Sequence, residues 1–182
     1  MRITQYSDYA LRTLIYLAVK PNPYELANIQ DVADSYGISK NHLTKIVHQL
    51  SRIGLIDSTR GKNGGIRLAK APKDINIGAV LRQTETDFAV VACFVPCDYH
   101  ATQNQPITVN PERLKTDRIA VTQTLIAKDI SELPEPSSCV ISPACQLKSV
   151  FFEATQAFLQ VFDRYTLADV LKNPTEINRL LK

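Results

Sequence analysis

The sequence predicts a mainly α chain with a small β wing: a winged helix-turn-helix domain followed by a long C-terminal dimerisation helix. Three observations predict it. Two short apolar-striped segments meet at Gly37, a glycine-rich "RGKNGG" separates two short apolar-containing strands, and a three-four apolar spacing runs from Gln146 to Tyr165. The domain organisation that follows is residues 1–86 as the winged helix-turn-helix, 87–145 as a loop region with an inserted segment at 98–138, and 146–182 as the long helix and a tail.

Taken in order, Thr4 is placed to cap a first helix whose apolar positions are Tyr6, Tyr9, Ala10, Ile15 (with Leu14) and Leu17. Pro21 and Pro23 break it, because proline removes a donor and clashes with the preceding turn. A second short helix, about Ile29 to Tyr36, carries Ile29, Val32 and Ala33 and stops at Gly37, which tolerates the left-handed backbone of a tight turn. Ser39 is the expected cap of a third helix, with Leu43, Ile46, Val47 and Leu50 as its buried stripe and Gly54 as its end. In "LIDSTRGKNGGIRLA", Asn63-Gly64-Gly65 supplies the positive-φ residues a hairpin tip wants. "NIGAVLRQTE" (76–85) reads as a further short helix.

Residues 98–138 hold four of the ten prolines in polar surroundings and read as an inserted loop with local structure. Beyond it, Leu147, Val150, Phe151, Ala154, Phe158, Val161, Phe162 and Tyr165 form a helical seam. No helix of similar size is left inside the chain to cover it, so a second copy of the chain, in a homodimer, is the expected partner. "TLADVLKN" and "PTEINRLL" read as short closing helices.

The 45% apolar and 21% charged content of the 182 residues is that of an ordinary globular chain. No run of eighteen apolar residues exists, and Asp8 and Arg12 interrupt the apolar pattern near the start. That argues against a signal peptide or a membrane span and predicts a cytoplasmic protein with no membrane partner. The net charge of +3 conceals an asymmetry. Residues 1–70 carry ten Lys/Arg against five Asp/Glu, and residues 40–70 carry seven basic groups and only Asp57. A cationic N-terminal part predicts a polyanionic partner. On a winged helix that partner is double-stranded DNA.

Ser39, Lys40, Asn41, Thr44 and Lys45 lie near the start of the third helix, opposite its buried stripe, where a recognition helix meets base edges. Asparagine pairs with adenine through two hydrogen bonds, and lysine donates to guanine or phosphate. Arg60, Lys62 and Arg67 flank the wing, and an arginine there suits a narrow, strongly negative minor groove. The competing reading is a solvated basic face, but pattern, position and charge agree on DNA. Two copies on a helical dimer axis would read a two-fold symmetric operator.

The four cysteines are Cys93, Cys97, Cys139 and Cys145, the last two in "CVISPAC". A reducing compartment disfavours a disulfide. Zinc prefers tighter knuckles than these spacings offer, whereas iron–sulfur clusters accept irregular ones. Spacing leaves buried thiols and a metal site both open.

"TQYSDYALRTLIYLA", "YGISKNHLTKIVHQLSRIGLI", "RGKNGGIRLAK", "IGAVLR", "CVISPACQLK" and "FLQVFDRYTLADVL", in that order, resemble the nitric-oxide-sensing iron–sulfur repressors of a winged-helix family. That family also contains the cluster regulator IscR. The resemblance covers residues 1–93 and 139–171. It implies a homodimer with one iron–sulfur cluster per subunit, held by Cys93, Cys139 and Cys145, so that 87–145 is the cluster-binding loop. It also implies a fourth ligand, Asp8, from the first helix of the partner copy. Three thiolates and one oxygen suit a 4Fe-4S cluster, and 2Fe-2S is compatible. As an ordinary helical residue, Asp8 would instead favour the helix dipole and pair with Arg12.

The family places its first two cysteines a few residues apart, whereas here the 98–138 segment separates Cys93 from Cys139. Cys97 is then a surplus thiol that replaces Asp8, replaces Cys93, or has no part in the site; the last is favoured. The function implied is a repressor released from its operator when nitric oxide modifies the cluster, controlling nitric-oxide detoxification genes. An alternative is a regulator of the IscR type that responds to cluster status or iron supply. A remote one is a cluster-bearing redox protein. An enzyme is not expected: there is no glycine-rich nucleotide loop or Ser/His/Asp set, and His42, His48 and His100 are scattered.

Overall fold

Residues 2–22, 25–61, 64–90, 141 and 144–181 are described by the computed structural model. The chain divides into two compact units, Met1–Phe88 with Glu153–Lys182, and Ala89–Phe152. The 98–138 segment, Cys93, Cys97, Cys139, Lys62 and Asn63 lie outside the described residues.

Helix α1 spans Gln5–Ala18, and Thr4 caps it with a side-chain oxygen that accepts from the Ser7 N–H at 3.4 Å. Glu85 holds that cap in turn, accepting from the Thr4 N–H at 2.8 Å and its hydroxyl at 3.0 Å. The buried side of α1 differs from the expected stripe. Ser7, Ala10, Thr13, Leu14, Tyr16 and Leu17 are buried, while Tyr6, Tyr9 and Ile15 are only half-buried. The physical reason is that α1 packs against more than one element, so a wider arc is covered and small hydroxyls let backbones approach. The buried serine and threonine hydroxyls of α1 are satisfied, as burial requires. Thr13 donates to the Tyr9 carbonyl at 2.7 Å, and the Ser7 and Thr84 hydroxyls meet at 2.7 Å.

Helix α2 spans Ile29–Tyr36, with Asn28 accepting from the Gln30 N–H at 2.9 Å, and ends where Gly37 takes φ 62°. Helix α3 spans Lys40–Arg52 and buries Leu43, Ile46, Val47 and Leu50, the expected four. Burying a leucine or isoleucine contributes about 1.5–3 kcal/mol each, so this stripe anchors α3 firmly enough to present its other face. Ser39 occupies the cap position by backbone, but its side chain makes no capping bond.

Strands β1 (Ile56–Thr59) and β2 (Gly65–Leu68) pair antiparallel, Ile56 opposite Leu68 and Thr59 opposite Gly65. Of the expected positive-φ residues, Gly64 and Gly65 do not take one and Asn63 lies outside the described residues, while Gly61 does, at 115°. The following glycines serve close approach. A Cβ on Gly65 would stand 2.7 Å from the Ala27 carbonyl oxygen. That approach lets Ala27 and Ile66 exchange backbone hydrogen bonds of 2.8 and 2.9 Å, fastening the wing to the segment before α2.

A 3-10 turn, Pro72–Asp74, leads into α4, Ile77–Thr84, capped by Asn76, which accepts from the Ala79 N–H at 2.9 Å. Helix α5 spans Leu147–Asp163. Its buried residues are Thr155 and Leu159, on a face beside the expected seam, while Leu147, Val150, Val161 and Tyr165 are exposed at 56, 55, 43 and 47%. Thr166 and Asp169 then form a capping box for α6, Leu167–Val170, and Pro174 starts α7, Pro174–Leu180. The chain end returns to α2, where the Ser35 hydroxyl lies 2.8 Å from the Leu181 carbonyl oxygen. Among the described residues, no helix is long and apolar enough to cross a membrane.

Candidate nucleic-acid interface

With one stripe of α3 buried, helical geometry turns Lys40, Asn41, Thr44 and Lys45 outward, and all four are exposed, as is Ser39. The amide and two ammonium groups therefore stand together at the start of one helix. Thr44 is partly committed, because its hydroxyl donates to the Lys40 carbonyl at 2.8 Å, leaving its oxygen free to accept only. The first N–H groups of α3 gain no cap from the Ser39 side chain, and such groups favour anions. His42 and His48 are exposed on the same helix.

At the wing, Arg60 is exposed immediately after β1. Arg67 sits within β2, directly across from Asp57, and its guanidinium approaches that carboxylate at 3.6 Å. Of the three wing cations, Arg60 is thus the one described near the tip.

Behind the exposed cationic face of α3 lies a set of residues that sequence reasoning missed. The Tyr6 phenol on α1 donates to the Gln49 amide oxygen at 2.8 Å and lies 3.3 Å from the Lys45 carbonyl oxygen. Gln49 in turn donates to the Gln83 carbonyl next to the end of α4. Burial holds the Tyr6 phenol above its ordinary pKa, with Arg52 pulling it partly back. The available signal was a polar residue, Gln49, one position from the apolar stripe of α3 and opposite a tyrosine of α1.

Asp8 stands in the first turn of α1, half-exposed, and is held by Arg12 through Nε at 2.9 Å and Nη2 at 2.9 Å. The Arg12 guanidinium also lies 5.8 Å from the centre of the Tyr36 ring, at the end of α2. That phenol is pushed up to about 12, mainly by burial, with Arg12 opposing. Tyr16 meets Tyr36 edge-on at 6.4 Å. Cys145, the described cysteine, is a half-buried free thiol two residues ahead of α5. The structure therefore brings together the expected DNA-facing residues of α3. The other expected thiolates lie outside what it describes.

A helix-turn-helix with an attached β wing, presenting a cationic helix face, defines a winged-helix DNA-binding transcriptional regulator. The family model for Rrf2, described as "Iron-dependent Transcriptional regulator", matches residues 3–133. The chain belongs to the Rrf2 family. It is 42% identical to the "HTH-type transcriptional regulator NsrR" of Bacillus licheniformis, over 100% of this chain and 99% of that protein. It is equally 42% identical to the NsrR of Bacillus subtilis, over 100% and 98%. The resemblance read from the motifs is thereby borne out.

In fold it is similar to CymR, the global cysteine regulator of B. subtilis (TM-score 0.56, 21% identity, covering 93% of this chain and 95% of that one). It is also similar to IscR of T. potens (TM-score 0.55, 18% identity, covering 95% and 88%). The chain is a regulator and not an enzyme.

Proposed function

We propose that this chain is a homodimeric, iron–sulfur-dependent repressor that leaves a two-fold symmetric operator when nitric oxide reaches its cluster, and so controls nitric-oxide detoxification genes. The near full-length identity to proteins named NsrR supports the sensing class. One structural observation carries the coupling. Tyr6, two residues from Asp8 on α1, is hydrogen-bonded to the back of the reading helix.

The donor chemistry fits such a cluster: soft thiolates from Cys93, Cys139 and Cys145 with the partner subunit's Asp8 as an oxygen ligand. Cys145 is free and half-buried, and Asp8 stands at the surface with Arg12 as its ion-pair partner. The cluster, when bound, supplies iron centres that nitric oxide attacks. The chain's own residues then do two things. Ser39, Lys40, Asn41, Thr44 and Lys45 read bases and phosphates, with Arg60, Lys62 and Arg67 on the wing. Helix α1 holds α3 in its reading position through Tyr6 and Gln49, and Asp8, if it ligates the partner subunit's cluster, would give up that tie of α1 to the partner when the cluster is lost.

Two copies meet along α5, whose exposed Leu147, Val150 and Val161 give an apolar seam. The domain assignment that goes with this reading is 1–86 for DNA, 87–145 for the cluster and 146–182 for dimerisation. The test is anaerobic purification with an iron and sulfide assay, followed by operator binding measured by fluorescence anisotropy before and after nitric oxide. Coloured protein that loses its operator on nitrosylation, and colourless Cys139→Ala and Cys145→Ala variants, are expected. Iron-free protein that holds the operator tightly would sink the proposal.

A further inference from the structure

The C-terminal end of α5 is joined to α4 by an unusually complete set of bonds. Asn76, while capping α4, donates its side-chain N–H to the Asp163 carbonyl at 2.7 Å and lies 3.3 Å from the Tyr165 carbonyl oxygen. The Ile77 N–H donates to the Tyr165 carbonyl at 2.9 Å, and the Leu167 N–H to the Ile75 carbonyl at 2.8 Å. Arg82, one turn along α4, grips the Asp163 carboxylate with both guanidinium nitrogens, one of them at 2.7 Å. Gly78 makes room for that carboxylate: a Cβ there would collide with the Asp163 Oδ1. Leu159 and Leu167, on either side of the joint, are fully buried.

From this geometry we infer that the joint of Asn76, Gly78 and Arg82 with Asp163 sets the distance and angle between the two reading helices of a dimer. It thereby sets the half-site spacing that the operator must have. This rests on the dimer along α5 proposed above. Backbone bonds fix where α5 ends relative to α4, but two bonds leave it free to pivot. The paired Arg82–Asp163 fork removes that freedom, since a two-pronged guanidinium–carboxylate contact fixes direction as well as distance. The apolar residues Phe158 and Val161 lie on the last two turns of α5, and Tyr165 within the joint itself, so a small rotation there is carried directly into the seam. Asp163 and Gly78 are positioning residues, since they act on DNA only through the placement of α3.

DNA supplies a sharp ruler for this idea. One added base pair moves a half-site by about 3.4 Å and turns it by about 35° around the duplex, which a rigid dimer cannot follow. The experiment measures binding of full-length protein to operators whose half-sites are separated by the optimal spacing, or by one base pair more or fewer. A single half-site serves as control. Wild type is expected to discriminate by tenfold or about that, and Asp163→Asn and Gly78→Ala to bring the difference within about threefold, with half-site affinity unchanged. Asp163→Asn keeps the side chain's size and lies at the surface, so it reports even if Gly78→Ala folds poorly. Variants that remain dimeric by sedimentation yet keep the wild-type spacing preference would overturn the joint's role alone. Wild-type protein that is monomeric when it saturates operator would overturn the dimer and this inference with it.

Discussion

Tyr6 donates its phenolic proton to the Gln49 amide oxygen at 2.8 Å, tying α1 to the side of α3 away from its exposed cationic face. Gln49 passes the connection on to the Gln83 carbonyl, so α1, α3 and α4 share one polar chain behind the exposed cationic face of α3.

Removing the phenol oxygen breaks that chain at its first bond. Tyr6→Phe is expected to lower stability by about 0.5–1.5 kcal/mol, the net worth of one such bond. Urea denaturation should show an earlier midpoint with an unchanged slope. An unmoved midpoint would show that water replaces the bond without loss.

Ser7 and Thr84 form a buried pair whose proton direction follows from a second bond. Thr84 lies 3.0 Å from the Val80 carbonyl, which can only accept, so Thr84 donates there and accepts from Ser7. Ser7→Ala therefore leaves an unfilled acceptor and costs about 1–3 kcal/mol. In a double-mutant cycle, Thr84→Val recovers part of that cost when combined with it. Strict additivity would refute the pairing.

On the reading face, Asn41→Ala and Lys45→Ala are expected to fail differently. Loss of a base contact at Asn41 costs about 1–3 kcal/mol on the cognate operator and little on unrelated DNA. Loss of a phosphate contact at Lys45 weakens all sequences alike and lowers the salt slope by about one. Titrations at several salt concentrations separate the two, and identical profiles would remove the assignment of roles.

Tyr36 gives a pH dependence with a definite sign. Its folded value is raised from the ordinary 10.0 to about 12, so between those limits the unfolded chain has released a proton that the folded chain keeps. Stability is full below the lower limit and falls as pH rises through the window. Tyrosinate absorbance should show a late phase that Tyr36→Phe removes. Persistence of that phase in the variant would point to another of the seven tyrosines.

Val161→Asp tests the seam on α5. Val161 is exposed within its own chain, so folding should change by no more than about 0.5 kcal/mol. A buried, unpaired carboxylate in a dimer is far costlier. Sedimentation is expected to show the variant as a monomer. Dimers of unchanged affinity would place the contact elsewhere.

Much of this was legible in the residues because local and long-range signals coincided. Gly37 marked the turn, the stripe of α3 is the one expected, and α5 follows its three-four spacing. What escaped was what tertiary context alone decides. A serine and a threonine in α1 are buried because their hydroxyls find partners on α4 and on α1's own backbone, and no periodicity of apolar residues records that. Gly65 carries no positive φ because it is required for its close approach to Ala27 instead, and Gly61 takes a positive φ ahead of it. Lys40, Asn41 and Lys45 could be named from helical geometry. Tyr6, Gln49 and Asp163 could not, since their partners lie 43, 34 and 81 positions away.

The contact between Ser35 and the Leu181 carbonyl has a practical corollary. Residues around Leu181 travel with α2, so a fluorophore or spin label grafted there reports the tilt of the helix-turn-helix. Conversely, a bulky affinity handle placed beside Leu181 loads the same helix, and an apparent loss of DNA binding in such a fusion would be an artefact of engineering.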